Sequence, residues 1–170
     1  MYAELLVLRI VHVLGAVIWV GTSLFIGIFL MPSLASVGPA GGAVMGELNK
    51  RRLFTIIPII ATLTMLAGLR LMWIPSNGYS AAYFATRGGM SYLVGAICAV
   101  LAFTIFMSVS HPAISQALKL GPQIAQAPDA EKPALMAKMN AIRGRAQKAG
   151  AASALLLIAT AIAMAIGRYV

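Results

Sequence analysis

Polar positions are confined to short stretches of this chain, and between them lie four long apolar blocks, over about residues 5–31, 53–73, 91–114 and 149–166. Each holds roughly 18–25 mostly apolar residues, enough to cross a hydrocarbon core about 30 Å thick. Lipid offers no partner to an unpaired backbone amide, so all four blocks are expected to be helices. The pattern predicts an all-α integral membrane four-helix bundle, one transmembrane domain over residues 1–170. Pro32 opens a Gly/Pro/Ser-rich loop that lasts to Gly46. Pro75, Asn77 and Gly78 end the second block, and Gly88-Gly89 introduces the third.

The segment before the fourth block is the one sizeable polar stretch. Ala127-Pro-Asp-Ala-Glu-Lys-Pro suits a helix start with Asp129 as its cap. No strong breaker follows, so a helical extension over about 130–148 is expected to run on into the membrane. Small residues recur at four-residue spacing: Ser23 and Gly27; Gly95 and Ala99; Ala159, Ala163 and Gly167. Such rows let helix backbones approach in lipid, within the bundle or across a homodimer. Pro58 is expected to kink the second helix and free a carbonyl near Phe54.

Composition agrees with this pattern. The chain is 61% hydrophobic and 10% charged, where a soluble domain carries about a quarter charged residues. A net charge of +9 would suit nucleic acid, but the basic residues flank the apolar blocks, which makes them a topology signal and excludes a nucleic-acid partner. Lys50, Arg51, Arg52, Lys119, Lys132, Lys138, Arg143, Arg145 and Lys148 fall in the first and third loops, against Arg9, Arg70, Arg87 and Arg168 at the other end. Those two loops are therefore expected in the cytoplasm and both termini outside, in a multi-pass protein of the cytoplasmic (inner) membrane. The N-terminus lacks the pattern of a cleaved signal. Cys98 lies within an apolar block and is expected to be a small buried hydrophobe.

The acidic residues narrow the chemistry. Glu4, Glu47, Asp129 and Glu131 are the whole set, and none lies inside an expected span. A carboxylate proton relay, a carboxylate-bridged metal pair and two-carboxylate acid–base catalysis are thereby excluded. No phosphate-cradling glycine loop or CxxC pair occurs.

Histidine remains. His12 lies about a third of the way into the first span, where an ionisable group is costly and points to function. Gly15, Ala16, Trp19 and Ser23 follow it on one helical face, a small-residue gap beside an imidazole that a flat macrocycle could approach. His111 ends the third span, before Pro112. Helix rise separates the two histidines by roughly 20 Å along the membrane normal, too far to share an iron, so His111 is interfacial or serves a separate site. At the level of His12 the other helices are expected to present Met65, Leu69, Arg70, Tyr92, Gly95 and Met164. Met65 or Met164 would be the second axial ligand if there is one, and Arg9 and Arg70 suit the propionates of a haem. Ten methionines raise copper as the alternative cofactor. They are spread over four helices with no close pair inside a span, and Met136 and Met139 fit one face of an amphipathic helix, so most are expected to be packing residues.

Arg9-Ile-Val-His12-Val-Leu-Gly-Ala-Val-Ile-Trp19-Val-Gly21 resembles the first-helix signature of the CopD/HemJ-like superfamily of small membrane proteins. Arg51-Arg52-Leu53, then Pro58, then Gly68 are similar to the second-helix pattern of HemJ. The likeness covers about the first 75 residues. It implies a four-helix core and haem b held through the first-helix histidine, the position of His12. HemJ-type protoporphyrinogen oxidases carry a lysine where the third helix begins. Here that stretch reads Gly88-Gly89-Met90-Ser91-Tyr92-Leu93, so the resemblance is to a CopD-like haem b protein more than to a protoporphyrinogen oxidase.

Four readings follow. The first is a haem b-binding membrane protein in electron transfer or a small redox reaction near the outer face, an oxidoreductase if it is an enzyme, with a redox partner. The second is a copper transport or resistance protein; the third, a HemJ-like oxidase; the fourth, a non-catalytic membrane partner protein acting through its basic third loop.

Overall fold

The computed structural model describes residues 2–170, the side chain of Pro39 apart, and among them every regular element is helical. We number these α1 (Tyr2–Ser36), α2 (Pro39–Lys50), α3 (Leu53–Trp73), α4 (Ala81–Phe84), α5 (Arg87–Gln126) and α6 (Lys132–Ile166). Four of them, α1, α3, α5 and α6, are long and apolar enough to cross a membrane. Large apolar side chains point outward all along them, Val17 at 66% and Leu155 at 70% exposure among them. Such a belt has a solvent only in lipid, and the chain is a multi-pass membrane protein by this measure.

Three of these helices, α6 with 35 residues among them, outrun the bilayer, and two of the three carry a local distortion. α1 has 35 residues and α5 has 40, about 50 and 60 Å at 1.5 Å per residue. Each contains one π-helical turn, Ile26–Leu30 and Phe106–Ser110. The cause is the proline that follows. Pro32 and Pro112 offer no N–H and press on the carbonyl four residues back. The wider turn accommodates them, with Met31 N–H donating to Ile26 O and His111 N–H to Phe106 O. Inside the second π turn Ser110 Oγ is buried without a hydrogen-bond partner among the described residues. Ser110→Ala is expected to stabilise the protein by about 1 kcal/mol, read as a higher melting temperature in detergent.

The loop expected over Pro32–Gly46 is mostly helix. Only Val37 and Gly38 interrupt it, and Gly38 turns the chain with φ +61°. Proline at the start of a helix costs nothing, because the first N–H groups have no partner there anyway. Gly41 then packs so closely on the Leu34 carbonyl that a Cβ would clash with it. The last long helix also starts later than expected. Its cap is Glu131, with no side-chain bond, and Asp129 instead holds Lys132 Nζ at 2.7 Å. Pro58 sits inside a continuous α3, where Pro58 O accepts from Thr62 Oγ1 at 2.9 Å.

The helices pack as two hairpins. α1 lies against α3, and α5 against α6. The hairpins are a repeat. The π turns, the prolines Pro32 and Pro112, and the buried glycines Gly15 and Gly95 stand eighty positions apart. On the partner helices Ala61, Thr64 and Gly68 correspond to Thr160, Ala163 and Gly167. The contacts repeat too. Thr64 O accepts from His12, and Ala163 O accepts from Ser91 Oγ at 2.8 Å. Gly68 backs the His12 ring, as Gly167 backs the Tyr92 ring. The two halves meet in a small central cluster of Trp19, Ala61, Ala99, Ala102 and Leu157. Toward the end away from the termini, α5 and the first half of α6 bury a second cluster around Ala113, Leu120, Met139 and Ile142.

Candidate functional site

Small residues decide where α1 and α3 touch. Gly15 is buried, and a Cβ on it would run into the Thr64 hydroxyl. Thr64 turns that hydroxyl back to its own helix, onto Ile60 O at 2.8 Å. One turn along each helix, the His12 ring crosses to α3. A Cβ on Gly68 would stand 2.6 Å from Cε1 of His12 and 2.8 Å from Nδ1. Glycine is thus required for the imidazole to lie where it does.

His12 Nδ1 lies 2.8 Å from Thr64 O. A carbonyl can only accept, so Nδ1 carries the proton and donates. With that proton on Nδ1, it is the neutral tautomer that presents a lone pair at Nε2. Metal-binding histidines are commonly fixed in this way, with the non-ligating nitrogen donating to a carbonyl that sets the tautomer and the ring plane. His12 is half-buried, so Nε2 is not sealed in a packed core.

The other expected site residues separate into groups. Gly15 lies on the His12 seam, but the room over it is taken by Thr64. Trp19 is in the central cluster, its ring edge-on to Phe103 with centroids 6.3 Å apart. Met65 packs on that same cluster. Gly95 and Met164 belong to the second hairpin, where Met164 Cε comes 3.0 Å from an ideal Cβ on Gly95. Arg9 is exposed, one turn from His12 toward the chain terminus. Arg70 is bound to Glu4, Nε to Oε1 at 2.9 Å and Nη2 to Oε1 at 2.8 Å, a pair that ties the ends of α1 and α3. His111 lies at the far end of the bundle, edge-on to Phe106 at 6.2 Å. Among the described residues no three His, Cys, Asp or Glu side chains gather where a metal ion could sit between them.

Three contributors have no mark of their own in a residue-by-residue reading. Thr64 acts through its main-chain carbonyl, which every residue has. Gly68 acts by lacking a side chain. Glu4 was assigned no partner. The repeat would have exposed the first two, since His12-x-x-Gly15 and Tyr92-x-x-Gly95 stand at one separation.

The donor set therefore suits a group bound through one imidazole nitrogen, such as a haem iron with a single histidine from the protein. In the second hairpin the place of His12 is filled by Tyr92. Burial, and after it the neighbouring Tyr92, pushes the Tyr83 phenol above its ordinary range. Compared with known protein families, with curated proteins and with solved structures, the chain shows no match.

Proposed function

We propose that the protein binds haem b through His12 Nε2 and serves electron transfer or a small redox reaction in the cytoplasmic membrane. The observation that carries this reading is the Nδ1–H bond to Thr64 O over Gly68, which fixes the ring and leaves one nitrogen free. Bound haem b would supply a one-electron iron couple. The chain's own part is to hold the ring. Thr64 sets the tautomer, Gly68 clears the space behind it, and Arg70–Glu4 locks the two helices together at that end. Arg9 is exposed and in reach of headgroup level, where a guanidinium suits a propionate carboxylate. Gly15 serves by bringing α1 and α3 close rather than by contacting the macrocycle.

Topology completes the proposal. Nine of the thirteen basic residues lie in the first and third loops, which supports a cytoplasmic place for those loops and a level toward the outer face for His12.

The purified protein, prepared with haem supplied, is expected to show a Soret band that His12→Ala removes. His12→Ala should keep its helical circular dichroism. A colourless, folded wild-type protein would overturn the reading, and so would an unchanged spectrum in the variant.

A further inference from the structure

The second hairpin has an open seam where the first is filled. Between α5 and α6, near the end that holds the termini, runs a groove of ≈ 660 Å³, within the size range of about 300–1,000 Å³ typical of ligand sites. Its floor is Ser91, Ala159 and Ala163, and its walls include Met90, Val94 and Ile162. No residue of α1 or α3 lines it, so it opens away from the other hairpin. In the repeat, the floor positions correspond to Val11, Ile60 and Thr64 of the first hairpin. Larger side chains fill there what Ser91 and the two alanines leave empty here, so the groove is particular to this half and not a necessary result of packing two helices.

Charge says what fits it. Arg87 stands at the mouth, at the first turn of α5. The acidic residues are engaged elsewhere: Glu4 with Arg70, Glu47 with Lys50 and Arg51, and Asp129 with Lys132. Glu131 is the residue before α6, at the opposite end of that helix from the groove. Arg87 has no carboxylate side chain as partner among the described residues. An apolar slot that opens into lipid, with the Arg87 guanidinium at its headgroup end, matches one long acyl chain joined to a phosphate. We infer that this groove is a binding site for an anionic phospholipid, its acyl chain lying over Ser91 and Ala159 and its phosphate on Arg87.

The test titrates phosphatidylglycerol or phosphatidylcholine into the full chain in detergent and reads bound lipid by native mass spectrometry. Wild type should retain one phosphatidylglycerol and prefer it to phosphatidylcholine by about fivefold, the scale of one basic residue against an anionic headgroup. Arg87→Gln, an exposed change that leaves packing alone, should abolish the preference. Ser91→Val with Ala159→Ile, which copies the first hairpin, should cut retention of both lipids. Equal binding of the two lipids by wild type would overturn the inference, as would full retention in the filled variant. A wild-type dimer that the filled variant converts to monomer would also overturn it, since a second copy of the chain would then be the occupant.

Discussion

Gly68→Val is expected to strip the protein of haem while His12 and all four long helices remain. The first Cβ atom alone would enter the imidazole, at 2.6 Å from Cε1 and 2.8 Å from Nδ1. The clash is with a ring held on a helix, so the ring must swing away and the Nδ1–H bond to Thr64 O breaks. Losing the partner that orients a ligating histidine costs about 10–100-fold in affinity, and displacement of the ring adds to that. The helix itself does not suffer, since valine is no worse than glycine in a helix interior. The measurement is the Soret absorbance per protein at limiting haem, with circular dichroism as the control for folding. Gly68→Ala should fall between wild type and Gly68→Val. Full haem content in Gly68→Val would place the haem away from His12.

Gly15→Ala is expected to cost about 1–3 kcal/mol, the usual range for an atom forced into a packed seam. Its Cβ would overlap Thr64 Oγ1, while Thr64 Cβ would stay at an ordinary 3.4 Å. The offending atom can be removed. Thr64→Ala takes away the hydroxyl, whose bond is only to Ile60 O in its own helix, so that change alone should be mild. The double variant should regain most of the loss, which is the signature of two residues in direct contact. Thermal unfolding of the four proteins in one detergent gives the coupling. Simple additivity of the two changes would mean that α1 and α3 do not meet through this pair.

The four-helix architecture was legible because lipid leaves the backbone so few choices. What the apolar blocks did not reveal lies at their ends. Pro32 and Pro39 suggested a loop, yet Pro39 begins a helix, where proline loses nothing, and Pro32 is accommodated within α1 by the π turn before it. The π turns were hidden because each arises from a proline six residues after its first residue, with no composition of its own. Asp129 had the right residue type for a cap but is held by Lys132. Within the site, His12 stood out as an ionisable group in an apolar block. Its acceptor could not, because Thr64 contributes a main-chain oxygen. Gly68 surfaced only through the family likeness, and the likeness did not say what the glycine was for. Arg70 was legible as a cation near the terminus end, but not its union with Glu4, which depends on how α1 and α3 cross. The repeat is faint in the sequence because it conserves size at contact points more than it conserves letters: His12 became Tyr92 and Trp19 became Ala99, while the glycine pairs Gly15/Gly95 and Gly68/Gly167 and the two prolines kept their identity.

The arrangement in hairpins also sets where the molecule can give. Within each half, backbones are pressed together at glycine and alanine, so sliding or parting there would meet resistance at once. Between the halves stands a modest patch, with the Trp19 indole leaning edge-on against Phe103. His12 and its acceptor Thr64 O both belong to one half, so the setting of the imidazole does not depend on the patch between the halves.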